Sequence, residues 1–77
     1  MKWEKQFDHA FKVINPNIKA ITEGWNADDL ERVKQRAEFE YSPPRRHATE
    51  AVEIAIVHVQ DMKWEEANPE QAEAMKK

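Results

Sequence analysis

The sequence lacks cysteine altogether and contains a single glycine, a single serine and no long apolar run. Without cysteine there can be no disulfide framework, no thiolate zinc site and no cysteine nucleophile. One glycine is too few for the kind of loop that cradles phosphate groups. Because no window approaches eighteen consecutive apolar residues, we also expect no membrane-spanning helix and no membrane partner.

The length and net charge of the chain limit the number of domains and the kinds of partner that we expect. The 77 residues suffice for one domain, and we expect a single helical domain over 1–77. The 15 acidic and 12 basic side chains give a formal net charge of −3, which provides no general attraction to nucleic acid or anionic lipid. The charged start, Met-Lys-Trp-Glu-Lys-Gln-Phe-Asp, lacks the apolar run of a signal peptide, so we expect a cytoplasmic protein.

The small size of the chain limits its stability. A domain of this length buries only about 60% of its unfolded surface. Such a core rarely leaves more than about 3–5 kcal/mol of net stability unless a disulfide, a metal or an association reinforces it. Since disulfides are excluded, association with a protein partner or with a second copy is the reinforcement we expect.

Apolar spacing and cap residues predict an all-α fold, a small bundle of three to four helices. One helix face carries apolar residues at steps of four, three, one and three, namely Trp3, Phe7, Ala10, Phe11 and Ile14. The predicted helices cover about 2–14, 16–23, 27–41 and 44–67, with a short final one over 69–76.

Asparagine, proline and glycine mark the predicted helix ends. Asn15 is expected to cap a second helix whose first residue is Pro16, and Asn26 is expected to cap the third. Gly24 suits a left-handed C-cap. Asn68 before a proline predicts the start of the last helix.

The fourth segment is ambiguous at its centre. Residues 51–59 are rich in β-branched side chains and could form a buried strand. A helix is favoured because the apolar residues occupy one helical arc, and because the run continues into helix-forming sequence without a turn signal. Ser42 and Pro43 are the expected cap and first-turn residues of this helix.

A second apolar group lies outside that arc. Ile54, Val57 and Trp64 fall on the other side of the fourth helix, and Phe39 lies off the apolar stripe of the third. The first and third helices could sandwich the fourth and cover these residues. However, each offers only one apolar stripe, and tryptophan is enriched at interface hot spots. We therefore predict that Phe39, Ile54, Val57 and Trp64 form a protein interface.

Catalytic and metal-binding chemistry is poorly supported. His47, Glu50 and Glu53 follow one another at steps of three, a spacing that metal sites use. Arg45 and Arg46 stand beside His47 and repel a cation, so a solvated face explains these residues better. We expect no metal, no cofactor and no enzymatic activity.

Basic residues suggest an alternative function. Arg32 and Arg36 in the third helix, with Arg45 and Arg46 after the proline turn, could form a patch for phosphate or another anion if the helices pack as a hairpin. Acidic residues in the same window weaken its field, so nucleic acid is a less favoured partner than protein.

One short stretch has a family resemblance. Asp28-Asp-Leu-Glu-Arg-Val33 and Phe39-Glu-Tyr-Ser42 resemble the middle of the Hha family of small nucleoid modulators. That resemblance implies a small helical regulator that acts through a DNA-binding partner. The proline turn, the Arg45-Arg46-His47 run and the first third of the chain depart from the family pattern.

These observations lead to one functional expectation. We expect a small non-catalytic helical interaction module, an inhibitor or adaptor of phage or plasmid type that binds a larger protein. The alternatives are a nucleoid or transcription modulator using the basic patch, a structural homo-oligomer, and an oligomeric enzyme built around His47 and Glu50.

Overall fold

Five α-helices make up the computed structural model, which describes residues 2–75. The helices are α1 (Lys2–Val13), α2 (Pro16–Lys19), α3 (Ala27–Glu40), α4 (Ala48–Ala67) and α5 (Pro69–Met75). The all-α prediction is confirmed, and residues 51–59 are helical, but there are five helices rather than three to four. Among the described helices, none combines the length and the apolar character needed to cross a bilayer.

The core forms around the inner face of α4, which packs against both α1 and α3. Small and β-branched side chains on this face have almost no exposed surface, and aromatic residues of α1 and apolar residues of α3 are buried with them. The buried cluster consists of Trp3, Phe7, Ala10, Ile14, Val33, Ala37, Ala51, Val52, Ala55, Ile56 and Val59. It contains most of the apolar stripes predicted for these three helices.

Local cap residues act largely as their sequence predicts. The Oδ1 atom of Asn15 accepts a hydrogen bond from the Asn17 backbone N–H at 2.8 Å, and Asn26 Oδ1 accepts one from the Asp29 backbone at 2.9 Å. Gly24 has a φ of 81°, the left-handed conformation expected at a chain reversal. These hydrogen bonds satisfy backbone donors that the helix itself leaves free.

The predicted start of the fourth helix is wrong. Residues 44–47 are not helical, and α4 begins only at Ala48, after His47. Ser42 instead pairs with Arg46 through two backbone hydrogen bonds, with the cis Pro43–Pro44 peptide between them. The cause is visible in the sequence, because a proline disfavours helical backbone in the residue before it, so Pro44 prevents Pro43 from opening a helix.

Other helix ends differ by small amounts. The predicted helix 16–23 is α-helical only as far as Lys19 and tightens into a 3₁₀ turn over Ala20–Thr22. α1 and α3 each end one residue earlier than predicted, at Val13 and Glu40. The predicted end of the last helix, residue 76, lies outside the described residues.

Polar contacts join helices that are distant in the sequence. The indole N–H of Trp3 donates to the Lys34 carbonyl at 3.3 Å, which ties α1 to α3. The Nζ atom of Lys63 lies 2.6 Å from Asp29 Oδ2, which ties α4 to the first turn of α3. The second contact, together with the buried inner face of α4, sets the rotation of this helix and hence which of its side chains face outward.

A matched pair of substitutions tests this rotation. Ile56→Val should lower the free energy of unfolding by about 0.5–1.5 kcal/mol, because Ile56 is fully buried and loses a packed methyl group. Ile54→Val, two residues away and only half-buried, should lower it by less than about 0.5 kcal/mol. Urea unfolding followed by circular dichroism measures both. Equal losses would mean that α4 has no distinct outer face.

Candidate protein-interaction site

The outer side of α4 carries the apolar residues predicted to meet a partner. Val57 and Trp64 are 43% and 42% exposed, and Ile54 is half-buried. We call Ile54, Val57 and Trp64 the outer strip. Successive helix residues lie about 100° apart, so the strip is on the side of α4 away from Val52, Ile56 and Val59.

α5 folds back against this side of α4 and extends the apolar surface. Asn68 makes the turn, with its side-chain amide donating to the Trp64 carbonyl at 2.9 Å. Ala72 is buried, whereas Met75 is 76% exposed. Between the two helices lies an open groove of about 450 Å³, lined by Asp61, Trp64, Glu65, Ala72 and Met75.

Phe39 does not join the outer strip. Its ring, 75% exposed on α3, lies at a second and shallower groove of about 290 Å³ between α3 and α4. This groove is lined by Arg32, Gln35, Arg36, Phe39, His58, Val59 and Met62. No residue lines both grooves, so the four predicted interface residues fall into two surfaces.

The Phe39 ring is partly covered by its own helix. The Arg36 guanidinium stacks over it at 4.9 Å from the ring centroid, and the buried Nε atom of Arg36 has no hydrogen-bond partner. This cation–π contact shields one face of the ring. Phe39 is therefore a weaker anchor than its exposure alone suggests.

The predicted basic patch is largely neutralised by glutamates. Arg36 lies 2.6 Å from Glu40, and Arg46 pairs with Glu40 and, at 3.6 Å, with Glu50. Arg32 lies 3.3 Å from Glu66, while Arg45 is exposed. Three of the four candidate arginines thus already have a carboxylate partner, with which a phosphate would compete.

Two of the three candidate metal ligands, Glu50 and Glu53, already contact other parts of the chain. Glu50 pairs with Arg46, and Glu53 accepts a hydrogen bond from the Asn15 backbone N–H at 3.0 Å. His47 precedes the first residue of α4 and makes no side-chain cap hydrogen bond there. Across residues 2–75, no group of three histidine or carboxylate side chains is arranged to hold a metal ion.

Two features of the site escaped sequence reasoning. The first is the groove itself, whose far wall comes from Ala72 and Met75 of α5. Their spacing of three marks one apolar helix face, but it does not say which helix that face meets. The second is Met62, which is 37% exposed at the Phe39 groove.

Comparison with protein-family models, curated proteins and solved structures finds no match for this chain. The Hha-like stretch within 28–42 therefore has no support beyond its own residues. What can be inferred about function rests on the geometry of the two grooves and the outer strip.

Substitution of Glu40, which lies between Arg36 and Arg46, tests whether these ion pairs stabilise the junction of α3 and α4. Glu40 is only 12% exposed, so Glu40→Gln leaves Arg36 and Arg46 without their shared charge partner. We expect a loss of about 1–2 kcal/mol in unfolding free energy, less than for a fully buried pair because both arginines reach solvent. Urea denaturation at low and high salt measures it.

Glu38→Gln is the matched control for this change. Glu38 lies exposed on the same helix, and its neutralisation should alter stability by less than about 0.5 kcal/mol. High salt should narrow the difference between the two variants, because screening weakens partly exposed ion pairs. An equal effect of both variants would show that the Glu40 network does not hold the junction.

Proposed function

We propose that the chain is a small, cytoplasmic, non-catalytic interaction module that binds a larger protein through the outer strip of α4, as an inhibitor or adaptor. The observation that carries this proposal is the exposure of Val57 and Trp64 on a helix whose other side already supplies the core. Buried tryptophan anchors dominate many interfaces because they bring a large area at low entropy cost.

The arrangement of the strip supports a protein partner. Ile54, Val57 and Trp64 follow one another at steps of three and seven, so they cover about 15 Å of one helix side. Met75 of α5 adds a flexible side chain at the same surface, and methionine adapts its shape to apolar partners. Apolar residues that share one side of a helix in this way mark an interaction site more clearly than scattered single residues do.

The polar chemistry of the chain supports a non-catalytic role. Glu40, Glu50 and Glu53 make contacts that join helices or turns. The two grooves described above are open rather than enclosed, whereas catalytic pockets bury most of the substrate surface. A catalytic role would require these carboxylates to give up the contacts that they make in the fold.

A matched pair of aspartate substitutions tests the proposal. Val57→Asp should reduce capture of the partner from a lysate of the producing cell at least about tenfold, because it places a charge in the centre of the interface. Val13→Asp makes the same change at an apolar residue of α1 that is 55% exposed, and it should leave capture unchanged. Quantitative mass spectrometry of the captured proteins measures both.

Circular dichroism of both variants must show the wild-type helical signal, since Val57 belongs to the outer side rather than the core. Identical capture by the wild type and by folded Val57→Asp would contradict the proposal. If the captured protein is the chain itself, the structural homo-oligomer takes the place of the adaptor.

The nucleic-acid alternative makes a different prediction. A modulator that used Arg32, Arg36, Arg45 and Arg46 would retard duplex DNA in a gel, with a steep loss of binding as salt rises. We expect no such retardation, because the chain is acidic and three of these arginines are paired with glutamates. Salt-dependent retardation that Arg45→Ala weakens would favour the modulator instead.

A further inference from the structure

The groove between α4 and α5 has a charge as well as a shape. Its floor and walls are apolar at Trp64, Ala72 and Met75, and the ionisable side chains that line it are Asp61 and Glu65. Asp61 lies within the outer strip, four residues after Val57 and three before Trp64. No lysine or arginine lines the groove in the described part of the chain.

The carboxylate of Asp61 differs from three other carboxylates of the fold, which already have partners. Asp29, Glu40 and Glu53 each hold a basic side chain or a backbone N–H of another element. Asp61 is exposed beside Trp64, and within residues 2–75 no ion pair or hydrogen bond joins it to another side chain. Its negative charge is therefore available to a molecule that binds in the groove.

We infer that the occupant is an amphipathic helix of another protein, with an apolar face that covers Val57 and Trp64 and a basic side chain that meets Asp61. This inference rests on the proposed function and adds the chemistry of the partner. An amphipathic helix presents apolar anchors at steps of three, four and seven residues, which matches the spacing of the outer strip. Lysine or arginine on its flanks complements the acidic lining.

A second copy of the chain fits the groove less well. Pairing the outer strip with itself would bring Asp61 of one protomer towards Asp61 of the other, and like charges at an interface are costly. The same carboxylate opposes contact with an anionic lipid surface. A basic partner is the one occupant for which the apolar strip and the charges act together.

Two synthetic peptides test the inference with the full chain. Both are amphipathic helices of about 18 residues with the same leucine face, and the flanking positions are all lysine in one and all glutamate in the other. Fluorescence anisotropy of the labelled peptides measures binding. The lysine peptide should bind the wild type at least about tenfold more tightly than the glutamate peptide at low ionic strength, and less so at high ionic strength.

Variants of the chain distinguish the contribution of charge to peptide binding from that of apolar contact. Asp61→Lys should remove most of the preference for the lysine peptide, while Asp8→Lys, the same change at an exposed residue of α1, should leave it intact. Val57→Asp, which retains the core, should weaken binding of the lysine peptide severalfold or more. A shift of the Trp64 emission to shorter wavelength should accompany binding, since the indole becomes covered.

Different experimental outcomes would contradict the basic-helix inference and the proposed function separately. Equal binding of the two peptides, abolished by Val57→Asp, would overturn the basic partner and leave the docking surface standing. Binding of the lysine peptide that neither Val57→Asp nor Asp61→Lys alters would place it elsewhere and count against both. Failure of both peptides to bind would overturn the basic-helix inference, while capture by the wild type and not by Val57→Asp would still support the proposed function.

Discussion

The close packing of α1 and α3 onto the inner face of α4 is the contact on which the rest of the structure depends. Ala51 and Ala55 let the neighbouring helices approach, while Val52, Ile56 and Val59 fill the space between them. Complete burial of each larger side chain stabilises the fold by about 1.5–3 kcal/mol. Because both of these packing partners lie on the inner side of α4, Val57 and Trp64 on the outer side keep much of their surface exposed.

Charged side chains also hold this arrangement in place. Glu40 lies between Arg36 and Arg46, where it joins the end of α3 to the turn before α4. Glu53 holds the Asn15 backbone at the start of α2, so it contributes to a helix junction. A carboxylate or guanidinium engaged in this way must break a contact before it can serve a ligand, which shifts functional interest to the apolar surface.

Sequence reasoning succeeded where the cause of the structure is local. The caps at Asn15 and Asn26 and the turn at Gly24 depend on hydrogen bonds or backbone angles within a few residues. It failed at Ser42, where the cap signal was read without the effect of Pro44 on Pro43. It also could not foresee that Phe39 and Trp64 lie at separate grooves, because helical spacing gives the face of a residue and not the helix that this face meets.

The apolar character of the outer strip is not explained by the fold. A side chain that stays more than two fifths exposed, as Val57 and Trp64 do, contributes only part of the burial energy that a core residue contributes. A partner that covers such residues in the folded state alone would add its binding free energy to the stability of a small core. Under the proposed function, occupation of the strip would therefore reinforce the domain, and the marginal stability expected of a chain this short would depend in part on the partner.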